Sequence, residues 1–209
     1  MSQKAYWNGV GAGKTFTHPV QHQWLAGVDR GARVLDYGCG YGRVVAELGE
    51  HGFRDVSGVD ISPALVARGR KDGLRLSVLE SPPVLPHAAG SVDVVLLFAV
   101  LTCVPEDEAQ RAMVAELVRV LAPGGLLYVS DLLLQDDRRN RDRYAAQAAR
   151  GGLPYGAFVT GEGAVCRHHD LGHLRALLAE VEVVDERRIE VTTMNGHPAR
   201  AVQVLARKS

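Results

Sequence analysis

Val94, Val95, Leu96 and Leu97 follow one another with no polar residue between them. A strand with one wet face alternates apolar and polar positions. A run without alternation predicts a strand covered on both faces, inside a parallel sheet. Shorter β-prone runs surround it at 33–37, 55–60, 74–79 and 126–130. Between them the spacing becomes helical. Val44, Val45 and Leu48 share a face, as do Ala109, Met113, Leu117 and Val120 within 106–121. Ser62-Pro63 reads as a helix start, with Ile61 and Val66 placed to pack across the cap. Pro123-Gly124-Gly125 ends the long helix. Repeated strand–helix units of this size predict an α/β fold, a parallel sheet with helices on both faces.

The pattern changes after 131. Residues 136–150 are polar and basic with helical propensity, and 151–165 read as loop. Residues 171–178 form a helix that Asp170 can cap. Two further strands, 181–193 and 199–206, join through Asn195-Gly196, a strong hairpin signal. The expectation is a mostly parallel, seven-stranded sheet that closes in an antiparallel hairpin. No internal repeat is evident.

Composition narrows the function classes. Of 209 residues, 46% are hydrophobic and 23% charged, which fits one globular domain. Lys plus Arg equals Asp plus Glu at 24 each, so the balance argues against a broad nucleic-acid or anionic-membrane footprint. No apolar run approaches the ~20 residues of a membrane span. The first seven residues lack the apolar stretch of a signal peptide. Cys39, Cys103 and Cys166 form no framework and no Cys-x-x-Cys pair. We expect a reduced, cytoplasmic protein with neither structural zinc nor membrane anchor. Asp131, His168 and His169 have no metal-ligand spacing, so no metal site is expected.

The chemistry concentrates in Asp36-Tyr37-Gly38-Cys39-Gly40-Tyr41-Gly42, where a strand runs through glycines into a helix. Such a turn lets a ligand approach the backbone and the free N–H groups of the helix start. A dinucleotide site spaces its glycines as Gly-x-Gly-x-x-Gly and meets a pyrophosphate there. Here the spacing is Gly-x-Gly-x-Gly, and Asp36 would repel a phosphate but attract an ammonium group. Asp60 ends the next strand about 20 residues on, where an acid can accept ribose hydroxyls. The pocket asks for a ribose and a cation without a phosphate, which S-adenosylmethionine satisfies.

These segments, with Gly58-Val59-Asp60-Ile61-Ser62, Ser91-Val92-Asp93-Val94-Val95 and Val118-Arg119-Val120-Leu121-Ala122-Pro123-Gly124-Gly125, resemble a class I S-adenosylmethionine-dependent methyltransferase. The resemblance covers about 30–131 in order. It implies a Rossmann-like fold and S-adenosylmethionine as cofactor. It places Asp36, Gly38 and Gly40 around the methionine moiety, Asp60 on the ribose, and Ile61 on the adenine. Phe98 and Ala99 fall under the sulfonium. The slot after the third strand, which in the family often holds an acid against the adenine amine, falls on Ser81 with Glu80 beside it.

Residues 1–29 resemble the N-terminal cover of small methyltransferases, and Tyr6, Trp7, Phe16 or His18 can line the site from it. The expected organisation is one domain: cover 1–29, cofactor core 30–131, substrate-side insertion 132–167, and closing helix and hairpin 168–209. His168 and His169 are candidates for a base over the acceptor, beside the plainer reading of solvated histidines before a capped helix. Asp93 is expected to organise strand backbone, and Cys39 to be a small packing residue. The 138–143 Arg-rich run reads as a solvated face that can alternatively admit an acidic substrate. Gly11 to Thr15 looks like the end of a phosphate loop, but Asn8 occupies its first glycine position and no strand precedes it. The four residues Phe98-Ala99-Val100-Leu101 lack the Asn/Asp-Pro-Pro-aromatic pattern of base-methylating enzymes. The expected acceptor is therefore a small molecule or short peptide and not a nucleic acid.

Overall fold

The structure is a computed structural model, and it describes residues 3–209. Met1 and Ser2, where the expected cover begins, lie outside the described residues. The strands are β1 (Arg33–Tyr37), β2 (Asp55–Asp60), β3 (Leu76–Val78), β4 (Val92–Phe98), β5 (Leu121–Leu132), β6 (Ala157–Val159), β7 (Val165–Arg167), β8 (Glu182–Thr192) and β9 (Pro198–Arg207). The helices are α1 (Gln3–Asn8), α2 (Arg43–Glu50), α3 (Pro63–Arg70), α4 (Asp107–Val120), α5 (Arg138–Arg150) and α6 (Leu171–Leu177). Seven strands form one sheet in the order β3-β2-β1-β4-β5-β9-β8. The first five run parallel, and β9 is antiparallel to both β5 and β8.

The unbroken apolar run of β4 lies between β1 and β5 and is covered on both sides. Val94, Leu96 and Phe98 pack with Val44, Val45 and Leu48 of α2 and Val66 of α3. Val95 and Leu97 face Met113, Leu117 and Val120 of α4 and Leu174 of α6. Each such side chain contributes roughly 1.5–3 kcal/mol by leaving water. Ser62 caps α3 by accepting from Leu65 N at 3.2 Å, with Pro63 at the first helical position. Asp137 caps α5, and Asp170 caps α6 through His173 N at 2.9 Å. Asp93 lies at the opposite end of the sheet from the glycine turn. It accepts from the backbone and guanidinium of Arg33, so it ties the starts of β4 and β1 together.

Two segments differ from expectation. Pro123-Gly124-Gly125 does not simply end α4 but sits inside β5, between the pairs Val92–Leu121 and Val94–Leu126. The close approach of strand β4 explains the glycine: a Cβ on Gly125 would lie 3.0 Å from the Asp93 carbonyl oxygen. The expected loop over 151–165 contains β6, which pairs with β7 in a separate two-stranded sheet. Its buried Phe158 and Cys166 pack with Tyr144 of α5, a tertiary contact that local periodicity does not carry. The hairpin at Asn195-Gly196 forms as expected, closed by Thr193 N donating to His197 O at 2.8 Å. Among the described residues no helix is long and apolar enough to cross a membrane.

Chain order reverses on either side of β1: β2 lies to one side and β4 to the other. Carboxyl ends of strands at such a switch leave a crevice. The glycine turn opens there.

Candidate active site

The turn after β1 is held open by the next strand. Gly38 N and Cys39 N both donate to the Val59 carbonyl, at 2.8 and 3.0 Å. Gly38 has φ +73°, and a Cβ there would come within 2.3 Å of Val100 Cγ2. Gly40 has φ +56°, and its Cβ would press to 2.9 Å on the Phe16 ring. Both positions need glycine for conformation and for space. Asp60 joins this turn to α3: Gly40 N donates to one carboxylate oxygen and Ser62 N to the other, each at 2.8 Å. A carboxylate has about four lone-pair sites, so each oxygen keeps capacity for a ligand hydroxyl. Burial raises the Asp60 pKa, and the Ser62 and Gly40 N–H bonds oppose that rise.

A cavity of about 540 Å³ opens over the turn, within the range of small-molecule sites. Asp36, Gly38, Gly40, Asp60, Ile61, Phe98 and Ala99 all line it, as does Phe16 from the N-terminal segment. Cys39 lines it too, packed so close to β2 that a Cβ on Gly58 would meet its side chain at 2.7 Å. Asp36 is only 2% exposed, and its carboxyl makes no hydrogen bond to any described residue. Burial pushes its carboxyl up to about 8; Arg43 pulls it down and Asp60 adds to the rise. A buried acid with no protein partner suits a cationic ligand group. Ala99, at the end of β4, has φ +55° and donates its N–H to the Ser130 carbonyl at 2.7 Å. Backbone strain of this kind costs about 1–3 kcal/mol and clusters at functional sites.

Three expected cofactor contacts stand outside this cavity. The Tyr6 ring is buried beside Trp7, and its hydroxyl donates to Glu162 at 2.9 Å. Glu80 is exposed, 3.8 Å from Lys4, and Ser81 is exposed as well. Leu79, Pro82 and Pro83 form the wall at that place, so the β3 side of the cavity is apolar.

The N-terminal segment is fastened over the sheet by polar contacts to α2, the start of α3, the β6–β7 turn and the β8–β9 hairpin. Ser62 Oγ donates to the Trp7 carbonyl at 3.0 Å. Lys14 Nζ donates to Glu162 at 2.8 Å and to Asn195 at 2.9 Å, so the lysine of the phosphate-loop look-alike serves an internal ion pair. Thr17 Oγ1 donates to the Thr192 carbonyl at 2.6 Å, and the Arg43 guanidinium donates to the His18 carbonyl.

A second cavity of about 330 Å³ adjoins the first. Both are lined by Trp7, Phe16, His18, Ala99 and Cys103. His18 is buried at this junction, 2.8 Å from Ser130 Oγ, and burial with nearby Arg43 lowers its pKa to about 4. His168 also lines the second cavity. Its Nδ1 lies 2.6 Å from Tyr144 Oη, which accepts from Gln135 N. The network is satisfied when Tyr144 donates to Nδ1 and the His168 ring proton sits on Nε2. Burial, then Arg143, lowers the His168 pKa to about 3, which keeps it neutral and makes it a weak base.

His169 lines neither cavity. It lies 2.8 Å from the Gln110 side chain and 3.7 Å from Asp131, and it stacks on His173. The fold thus brings Asp131 near His169, whose Nδ1 nevertheless has no hydrogen-bond partner. Arg139 and Arg143, from the run expected on a solvated face or beside an acidic substrate, both line the second cavity. Asn140, Arg143, Tyr144 and Gln147 recur at helical spacing, and all four are at least partly buried. That stripe was the available signal.

The comparisons with known proteins agree with this geometry. Residues 35–129 match a family model described as a methyltransferase domain. That stretch holds a methyltransferase domain, and the chain is similar to class I S-adenosylmethionine-dependent methyltransferases. A ribosomal protein L11 methyltransferase of Cupriavidus metallidurans is 33% identical over 158 residues, 74% of this chain and 49% of that protein. A ubiquinone biosynthesis O-methyltransferase of Bordetella avium is 32% identical over 124 residues, 55% of this chain and 50% of that one. The chain spans about half the length of these curated relatives. The crystal structure of a SAM-dependent methyltransferase from Methanosarcina mazei superposes with a TM-score of 0.81 at 25% identity, covering 91% of this chain and 97% of that one. The methyltransferase family's Rossmann-like sheet is thus present from end to end.

Proposed function

We propose that the protein transfers a methyl group from S-adenosylmethionine to a small-molecule acceptor held in the second cavity. The observation that carries the reading is the adjoining pair of cavities, with Ala99 and Cys103 in the wall they share. In this reading Asp36, Gly38 and Gly40 receive the methionine end of the cofactor, Asp60 the ribose and Ile61 the adenine. Phe98 and Ala99 lie beneath the sulfonium, and Phe16 covers it. When bound, S-adenosylmethionine supplies a methyl carbon activated by the sulfonium; an acceptor lone pair forms the new bond as sulfur takes back the old one's electrons. The protein's part is alignment and exclusion of water. The fastened N-terminal segment and the strained Ala99 backbone serve those ends. His168, neutral with its proton on Nε2, orients the acceptor and does not deprotonate it.

These two relatives carry names that point to different acceptors, one naming ribosomal protein L11 and the other O-methylation in ubiquinone biosynthesis. The 330 Å³ volume favours the small molecule. Incubating the enzyme with methyl-labelled S-adenosylmethionine and a cell extract, then separating small molecules from protein, tests this. Label is expected in the small-molecule fraction. Label confined to protein would overturn the acceptor assignment while leaving the transferase assignment standing.

A further inference from the structure

The two cavities differ in charge. The first has three acids, Asp36, Asp60 and Glu106, against one arginine, Arg43, in its lining. The second is lined by no aspartate or glutamate, but by Arg139, Arg143 and His168 among apolar and hydroxyl side chains. Arg143 is the informative member. It projects from α5 with its guanidinium carbon 3.3 Å from the centre of the Phe158 ring. Its Nε is buried and has no hydrogen-bond partner, and no described acid forms an ion pair with it. The Glu162 carboxylate, at the β6–β7 turn, is taken by Lys14 and Tyr6. An arginine remains charged even here; a side-chain hydrogen bond with Tyr144 occupies part of its fork, and the Nε donor is left unused. A half-buried cation without a counter-ion is costly unless a ligand supplies one.

We infer that the acceptor is a small, ring-sized molecule bearing one delocalised anionic group, such as a carboxylate, which the Arg143 guanidinium binds in the second cavity. This rests on the reading of that cavity as the acceptor site. The donors His168 Nε2–H and Thr160 border the same space and match an anion's lone pairs. Trp7, Phe16 and Met194 supply apolar surface for the ring. The arrangement places a negative acceptor opposite a cofactor whose sulfur is positive, so each ligand meets a wall of complementary charge.

The test titrates the protein, with and without S-adenosylhomocysteine, against matched one-ring acid and amide pairs: benzoate and benzamide, 4-hydroxybenzoate and 4-hydroxybenzamide. The acids are expected to bind about ten-fold or more tightly than their amides, the loss of a charge-assisted bond accounting for the difference. Arg143→Met should abolish that preference, and Arg143→Lys should retain part of it. The ligand-free Arg143→Met protein should melt no lower than wild type, because no internal ion pair is removed. Equal binding of acids and amides, no binding of any acid, or an intact preference in Arg143→Met would overturn the inference. So would a lowered melting temperature restored by Arg143→Lys, which marks a structural arginine. Failure to bind S-adenosylhomocysteine would instead strike the cofactor reading, since the acid titration without it still reports on Arg143.

Discussion

Asp36 and Asp60 occupy neighbouring strand ends, yet their surroundings prepare them differently. Asp60 has a backbone N–H on each oxygen and is fixed in place before any ligand arrives. Asp36 has none, and burial raises its pKa from 3.8 to about 8. Between those values the folded protein holds a proton that the unfolded chain releases. The corresponding stability is complete below the lower value and is lost as pH rises through the upper one. A bound cation reverses the balance by favouring the carboxylate. We therefore expect S-adenosylmethionine binding near pH 7 to release close to one proton from Asp36. Calorimetry in buffers of differing ionisation enthalpy reads this number. Asp36→Asn should release none and bind about 10–100-fold more weakly, the loss of one hydrogen bond to a charged group at ~1.5–3 kcal/mol. Equal proton release by the variant would assign the proton to another group. These two aspartates were readable from spacing alone, because strand, glycine turn and next strand are local features. That Asp36 lacks a partner was not, since it depends on every side chain folded around it.

The N-terminal segment, α5 and the β6–β7 hairpin form a layer over the carboxyl ends of the sheet. Their aromatic residues Tyr6, Trp7, Tyr144 and Phe158 make one buried cluster. Lys14 joins this layer at its edge through Glu162 and Asn195. Such partly exposed pairs contribute only about 0–1 kcal/mol to stability. Their position gives them more influence over opening than over folding. Lys14→Ala is expected to leave the melting temperature nearly unchanged and to speed S-adenosylhomocysteine release roughly 2–10-fold, as for loss of a bond of ~0.5–1.5 kcal/mol. Stopped-flow dissociation measures it, and an unchanged rate would show that the segment does not hold the ligand in. Little of this layer was legible in the sequence. Short strands such as β6 carry too few residues for periodicity, and Arg143 sits in a run whose charge disguises its inward stripe. By contrast β4 was read correctly because burial on both faces requires an unbroken apolar run.

Across the protein, the sheet separates two jobs. Its core, built on β1 to β5, is the part that matches the methyltransferase family model, and it brings the acidic residues to one cavity. The segments added after β5 contribute Arg139, Arg143 and His168 to the other. On the proposed reading, family-level chemistry is encoded mainly up to β5 and acceptor choice mainly after it, so the cofactor was deducible from motifs and the acceptor was not. The strand order and hairpin closure followed from alternating units and Asn195-Gly196. The charge difference between cavities emerges only when distant segments meet. A crystal structure of the complex with S-adenosylhomocysteine examines the whole arrangement at once. We expect the ribose hydroxyls on Asp60, the amino acid end near Asp36, and the sulfur beside Ala99, pointing through the shared wall into the Arg143 cavity. A nucleoside seated in the Arg143 cavity, or a sulfur turned away from Ala99, would refute the account.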